Sequence, residues 1–241
     1  MTVSAALVSV TLRGLLGRRR FLLLLLLVAL PVLVALLIRL AGGGRDTAAI
    51  LDALVIRTVL PLVALIIGTS AIGSEIEDGT AVYLLIKPIA RWRIALAKMG
   101  VAAGLTVVLV VPPMILTGIL IAGTDGAALG TTFGYALAAI AGSIAYACLF
   151  TALGALTSRA LIVGLLYVLL WEGVLSGLLE GTRFLSIRQA TLGLAAAWTG
   201  EDRGGTALAP TTSALVITLV IVGSFAVTTR ALARFQIRSA D

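Results

Sequence analysis

The sequence of 241 residues contains no histidine and a single cysteine, Cys148. Without histidine, the chain lacks the side chain that most often binds metals and transfers protons near neutral pH. One cysteine cannot form an internal disulfide, and its position inside an apolar run indicates a packed core residue. Charged residues are also scarce, at 12% of the chain against about 25% in ordinary globular proteins. These shortages exclude most metal and haem sites and argue against a soluble fold.

What the chain does contain is hydrophobic sequence, which makes up 60% of it and falls into long uncharged runs. The run 21–38 has eighteen residues without a charge, and about 20 apolar residues form a helix that crosses a ~30 Å hydrocarbon core. The runs are continuous and do not alternate in the way that the strands of a membrane barrel do. Helices satisfy their own backbone hydrogen bonds in lipid. The predicted fold class is therefore all-α integral membrane, with one transmembrane domain over residues 1–241.

The apolar runs predict six transmembrane helices, at 21–40, 54–73, 98–122, 131–157, 160–179 and 208–230. Pro112 and Pro113 predict a break or bend in the third of them, because each proline removes a backbone donor. Residues 1–20 place apolar side chains on one helical face and end in three arginines. This pattern predicts an amphipathic helix that lies in the membrane interface before the first span.

Six spans place both termini on the same side of the membrane. If that side is cytoplasmic, it carries twelve of the eighteen Lys and Arg residues but only four of the eleven acids. An excess of Lys and Arg is typical of cytoplasmic loops. We therefore predict a multi-pass protein of the bacterial inner (plasma) membrane with both termini in the cytoplasm; the bacterial source is suggested by the abundant Arg, Ala and Gly. The net charge of +7 is explained by topology and does not require a nucleic-acid partner.

The predicted cytoplasmic loop 74–97, between the second and third spans, has the most distinctive sequence. It begins with an acidic turn and continues through Gly79, which accepts a positive φ, and Thr80, which can cap a helix over 81–86. Pro88 ends that helix, because proline disfavours helical geometry in Lys87 before it. The apolar side chains of the short helix pack against the protein's own helices or the bilayer, or they dock into a groove on a cytoplasmic partner.

The order of residues in this loop resembles the membrane subunit of type-2 ATP-binding cassette transporters. The residues that carry the resemblance are Glu75, Gly79-Thr80, Leu84-Leu85, Pro88, Arg91 and Lys98. The topology is similar as well, with an interfacial elbow helix, six spans, a cytoplasmic coupling helix between helices 2 and 3, and an external helical segment between helices 5 and 6.

The resemblance implies a permease whose partners are a second permease copy or a related chain, membrane lipid, and two copies of a P-loop ATPase subunit. ATP and Mg would be bound by the ATPase, since this chain lacks the phosphate-binding Gly-x4-Gly-Lys-Ser/Thr motif. The chain itself is then not an enzyme and binds no cofactor. The resemblance also implies which residues couple to the ATPase: Glu75, Glu77, Asp78, Gly79, Thr80, Tyr83, Leu84, Leu85, Lys87 and Pro88. A solvated acidic turn is the alternative interpretation of the carboxylates.

Glu172 is the second candidate site, because it lies thirteen residues after Arg159 inside the fifth predicted span. That distance is about 19 Å along a helix, which places the carboxylate well inside the membrane. Charges at such positions are costly and are often functional. Arg57, near the outer end of the second span, is the cation that the topology offers as a partner. Two interpretations stay open: a structural ion pair or snorkelled carboxylate, and a group on the substrate path.

The predicted external segment 180–207 repeats bulky and polar residues at helical spacing, which predicts one or two short helices at the outer surface. By the resemblance this segment caps the exit path, and a plain interfacial loop is the alternative. The expected function is export of an amphipathic or hydrophobic substrate such as a drug, lipid or peptide. The alternatives are an ATP-independent channel or carrier, a permease of the same family that serves maturation of another enzyme, and a membrane enzyme. The last lacks a catalytic constellation in this sequence.

Overall fold

A computed structural model describes residues 18–42, 46–77, 90–175, 180–200 and 208–238. All regular elements in these ranges are helical, as predicted. The helices are α1 (Arg18–Leu40), α2 (Thr47–Ile50, π-helical Leu51–Val59 and α-helical Leu60–Glu77), α3 (Arg91–Ala122), α4 (Gly126–Leu156), α5 (Ala160–Leu166 and π-helical Tyr167–Leu175), a 3-10 helix (Glu180–Leu185), α6 (Ile187–Thr199) and α7 (Pro210–Arg238). The predicted interfacial helix over 1–20 lies outside the described residues, apart from three arginines that begin α1.

Among the described residues, five helices are long and apolar enough to cross a membrane: Leu22–Leu40, Thr47–Gly73, Arg91–Ala122, Gly126–Leu156 and Pro210–Ala233. They match five of the six predicted spans, but α2, α3 and α4 begin earlier than predicted. Carboxylates outside the apolar runs cap the starts of α2 and α4, whereas α3 begins after Ala90 without a side-chain cap. The side chain of Asp46 accepts a hydrogen bond from the backbone N–H of Ala49 at 3.2 Å, and that of Asp125 accepts one from Ala127 at 3.0 Å. Each carboxylate satisfies a backbone donor in the first turn of its helix.

Pro112 and Pro113 lie inside α3, which continues without the predicted break. Membrane helices tolerate proline where neighbouring helices and hydroxyl side chains support the backbone. In α3, the Thr117 hydroxyl donates a hydrogen bond to the Pro113 carbonyl at 2.8 Å, and α1 packs along the same helix. The third crossing is therefore a single helix.

Successive long helices run in opposite directions. Residues 123–125 alone join α3 to α4, and Gly123 takes a φ of +60° in that turn. Lys98, near the start of α3, donates a hydrogen bond to Ala71, near the end of α2. Arg39 at the end of α1 donates one to Leu120 at the end of α3. These contacts place the end of α2 and the start of α3 on one face of the bundle, and the ends of α1 and α3 on the opposite face.

Helix α4 is central and packs against α2, α3, α6 and α7. Its contact with α2 is close because glycines of each helix face the backbone of the other. A Cβ atom on Gly154 would lie 2.8 Å from the carbonyl oxygen of Thr69, and one on Gly68 would lie 3.1 Å from that of Ala147. Such contacts are typical of membrane helices, where small residues let backbones approach.

The predicted fifth span and the predicted external segment are described in part. Within 160–179 the described residues include the apolar helix Ala160–Val174, residues 176–179 lie outside the described ranges, and the six-span count stays a prediction. Helix α6 lies in the predicted external segment, but it packs inside the bundle against α4 and α7. Its buried side chains are mostly small: Ile187, Arg188, Ala190, Thr191, Gly193 and Ala195. Of the bulky residues in this segment, Phe184 and Trp198 are exposed and Ile187 is buried.

Candidate functional site

The predicted coupling loop is framed by the end of α2 and the start of α3. Glu75 and Glu77 are on the last helical turn of α2, and α3 begins at Arg91. The other predicted coupling residues lie outside the described residues: Asp78, Gly79, Thr80, Tyr83, Leu84, Leu85, Lys87 and Pro88. Their role in coupling stays a prediction.

A buried lysine joins the two helices that frame this loop. Lys98 is 2% exposed, and its Nζ donates a hydrogen bond to the backbone carbonyl of Ala71 at 2.9 Å. The hydrogen bond is charge-assisted, because its donor is an ammonium group. The neighbouring Ile72 and Ile94 pack in one small apolar cluster with residues of α4 and α7. The ends of α2 and α3 are therefore held together by both charge and packing.

The second predicted site, Glu172, is 3% exposed and lies in the π-helical part of α5. Its Oε1 accepts hydrogen bonds from the Tyr167 hydroxyl at 2.9 Å and from the backbone N–H of Ile187 at 3.0 Å. Its Oε2 accepts one from the Ser186 hydroxyl. Its backbone carbonyl accepts one from Arg188 Nη1 at 2.9 Å. We call these five residues the Glu172 cluster.

Local geometry brings the members of the Glu172 cluster together. In a π-helix residue i bonds with residue i+5, so Tyr167 and Glu172 fall on one side of α5. Ser186 caps α6, and its Oγ accepts a hydrogen bond from the backbone N–H of Gln189 at 3.1 Å. The carboxylate of Glu172 thus acts as a second cap for α6, delivered from another helix. An anion is stabilised at a helix N-terminus, where backbone donors are free.

Aromatic packing surrounds the Glu172 cluster on the side of α4. Tyr146 is fully buried and stacks on Phe150, with ring centroids 5.9 Å apart. Phe150 in turn meets the edge of Tyr167 at 6.2 Å. Tyr146 lies within electrostatic range of Glu172 and Arg188. The cluster is therefore shielded by α4, and its hydrogen bonds form in a low-dielectric setting where they are strong.

Arg57, the suggested partner of Glu172, is placed next to another acid. Its Nη2 lies 3.8 Å from Oδ2 of Asp52, and its side chain is 53% exposed. These contacts do not bring Arg57 to Glu172, so the intramembrane pair stays a prediction. The Glu172 carboxylate accepts hydrogen bonds from two hydroxyls and a backbone N–H, and both predicted interpretations of its role stay predictions.

Sequence reasoning missed the partners of Glu172 and the burial of Lys98. One signal was readable: Ser186 and Gln189 have the spacing of a capping box, which marks the start of a helix. No comparable signal pairs Arg188 with a backbone carbonyl sixteen residues earlier. Among the side chains that the structure describes, no three His, Cys, Asp or Glu residues come together to hold a metal ion.

A family model described as ABC-2 family transporter protein matches residues 16–181, which is more than half of the chain. The matched range includes the loop between α2 and α3 and reaches the start of the 3-10 helix. No curated protein shows significant similarity to the sequence. The match confirms the family resemblance. With five helices long enough to cross a membrane in the part of the chain that the structure describes, the chain is a multi-pass membrane protein that belongs to the ABC-2 transporter family.

Proposed function

We propose that the chain is the permease subunit of an ATP-driven exporter for an amphipathic or hydrophobic substrate such as a drug, lipid or peptide. The observation that carries the proposal is the family match over residues 16–181. Membership in the family makes the chain a membrane transport subunit and implies ABC ATPase partners. In the proposed complex, two copies of a P-loop ATPase bind ATP and Mg, and a second permease copy or related chain completes the path.

The proposed orientation places the loop between α2 and α3 and both termini in the cytoplasm of a bacterial cell. The excess of Lys and Arg on that side supports it. The same orientation puts the start of α2 and the end of α5 towards the outer side. Export is inferred from the family, and the low content of charge in the chain favours an apolar or amphipathic substrate.

In the proposed mechanism, closure of the ATPase dimer moves the short helix over 81–86, which passes the movement to α2 and α3. Glu75, Glu77 and Asp78 meet basic groups of the ATPase at the same surface. The Lys98–Ala71 hydrogen bond supports this mechanism, because it ties the two helices together seven residues from the start of α3. A movement of the loop then reaches both helices as one unit.

The test uses the permease co-purified with its ABC ATPase partner and reconstituted in liposomes. Substituting Leu84→Ala and Leu85→Ala together should lower substrate transported per ATP hydrolysed by roughly tenfold or more. Binding of the ATPase and its hydrolysis should persist. The measurement is the ratio of substrate flux to phosphate release.

A matched control replaces two exposed leucines of α7, Leu215→Ala with Leu219→Ala, and should leave the ratio unchanged. Normal coupling in the Leu84/Leu85 variant, at normal expression, would contradict the assignment of the coupling helix. Substrate flux that continues without ATP or an ATPase would favour a channel or carrier instead.

A further inference from the structure

The Glu172 cluster lies deep in the bundle. Gly142 of α4 faces Thr191 of α6, and Gly134 faces Thr199. From the first pair to the second, the residue number falls by eight in α4 and rises by eight in α6. Helix α6 therefore runs antiparallel alongside α4. The same register puts Ile187 level with Tyr146, which is ten residues from the end of α4. That is about 15 Å along a helix of about 46 Å.

Glu172 lies at a similar depth from the same face of the bundle, because residues 157–159 join the end of α4 to the start of α5. It lies twelve residues after the start of α5, or about 18 Å if the rise is that of an α-helix. Helix α6 thus begins within the bundle, beside Glu172 of α5, and leads from that depth towards the proposed outer side. A broken helix whose inner end is buried in protein is allowed in a membrane only where its free backbone groups find partners. The carboxylate of Glu172 supplies one such partner, the acceptor for the N–H of Ile187.

The contacts of α6 differ between its start and its length. At the start, charged and hydroxyl groups form directional hydrogen bonds with α5. Along the length, glycines meet hydroxyl-bearing residues: Gly134 with Thr199, Gly142 with Thr191, and Gly193 with Ser213. The Thr191 hydroxyl donates its hydrogen bond to the carbonyl of Ile187 in its own helix at 2.8 Å. Small side chains of this kind let helix backbones approach closely, so these glycine contacts are van der Waals contacts, whereas those at the start of α6 are directional.

We propose that Glu172 is a positioning residue that latches α6 into the bundle, so that α6 closes the outer half of the substrate path until the hydrogen bonds of the cluster are released. The proposal rests on the proposed export function. It concerns the closed position of one helix, and substrate does not need to touch Glu172.

The π-helical stretch Tyr167–Leu175 gives the latch a way to open. Residues five apart lie on one side of a π-helix but point about 140° apart in an α-helix of 3.6 residues per turn. If the stretch changes to an α-helix, Tyr167 and Glu172 separate. The carboxylate then loses one of its donors and turns relative to α6. The change alters only the helical winding of the nine residues Tyr167–Leu175.

Cysteine accessibility tests the latch without any transport. In a Cys148→Ala background, Ala195→Cys places a thiol on the buried side of α6, and Ala197→Cys places one on its exposed side. Adding Glu172→Leu should speed labelling of residue 195 by a small water-soluble thiol reagent about tenfold or more, relative to residue 197. Glu172→Gln should have an intermediate effect, because its single carbonyl oxygen still accepts from Ile187 whereas its amide N–H2 faces the Ser186 donor.

The native Cys148, which is buried in α4, reports whether a variant has loosened as a whole. It is to be labelled in chains that carry only the Glu172 substitution. If Glu172→Leu makes Cys148 reactive, Glu172→Gln decides the question. Unchanged protection of residue 195 in Glu172→Gln, or in Glu172→Leu with Cys148 still unreactive, would overturn the proposal.

A cross-link tests whether α6 must move. A Cβ on Gly142 would lie 3.3 Å from the Cβ of Thr191, close to the separation in a disulfide. In the Cys148→Ala background, oxidation of Gly142→Cys with Thr191→Cys should reduce transport to the background rate, and reduction should restore it. Each single cysteine is the control. Full transport by the cross-linked protein would overturn the latch, whereas a cysteine-free parent without ATP-dependent transport would contradict the export function instead.

Discussion

Lys98 and Glu172 are both buried ionisable residues, and the protein accommodates them in different ways. Lys98 reaches along its flexible stem to a carbonyl of the adjacent helix in sequence, and that carbonyl also belongs to the helical ladder of α2. Glu172 has a short stem, so its partners are brought to it from Tyr167 and from the start of α6. Three donors therefore depend on the Glu172 carboxylate, whereas the Lys98 ammonium donates to a carbonyl that also has a helical hydrogen bond.

This difference determines how much stability a substitution at each of the two residues removes. Replacing a buried charge by an apolar residue removes the desolvation cost of that charge, but it leaves the former partners without a bond. For Lys98, the described acceptor keeps its helical hydrogen bond. For Glu172, two hydroxyls and a backbone N–H would lose their acceptor in a dry environment. We therefore expect the two sites to respond unequally to similar changes.

The largest effect is expected for Glu172→Leu. Loss of the acceptor for Tyr167, Ser186 and Ile187 should lower the free energy of unfolding by about 3–5 kcal/mol. The measurement is thermal unfolding in detergent, followed by a thiol-reactive dye that reports exposure of the buried Cys148. The control Leu170→Ala changes an exposed residue of the same helix and should shift stability little. Equal unfolding temperatures for Glu172→Leu and the wild type would remove the distinction drawn between the two sites.

A smaller effect is expected for Lys98→Met. Methionine matches the length of the lysine stem and removes the cost of burying the ammonium, so the net loss should be on the order of 1 kcal/mol. The same dye assay measures it. A loss larger than that of Glu172→Leu would show that the ammonium supports more of the structure than its bond to Ala71. Lys98→Arg is the control that keeps the charge.

The smallest effect is expected for Arg57→Ala. An exposed ion pair with a 3.8 Å separation contributes about 0–1 kcal/mol. A charge exchange, Glu172→Arg with Arg57→Glu, should not recover the stability lost in Glu172→Arg alone, because the two groups have other neighbours. Recovery in the double variant would restore the intramembrane pair that the sequence suggested.

Much of the fold was predictable because lipid imposes simple requirements. Runs of about 20 apolar residues had to be helices, and five of the predicted spans correspond to long helices. The ends were less predictable, since Asp46 and Asp125 cap helices outside the apolar runs. The Pro112–Pro113 break was wrong, because α3 continues through both prolines.

The segment after the fifth predicted span was the hardest to predict. In a water-soluble protein, hydrophobicity places bulky apolar residues in the core. In this membrane bundle the small residues of α6 are buried, whereas Phe184 and Trp198 are exposed. The sequence could mark Glu172 as unusual, since a carboxylate in an apolar run is costly. It could not name the partners, which come from 5 to 16 residues away in contacts that no periodicity predicts.

From its sequence alone the chain could be identified as an all-helical membrane protein and, through the loop after the second span, as one that resembles the ABC-2 transporters. These properties depend on hydrophobicity and on the order of residues along the chain, which can be read one segment at a time. The packing of α6 inside the bundle, its capping by Glu172 and the link that Lys98 makes between α2 and α3 became visible in the three-dimensional structure. Those facts depend on which backbones approach closely and which donors find an acceptor, and such choices are made between segments.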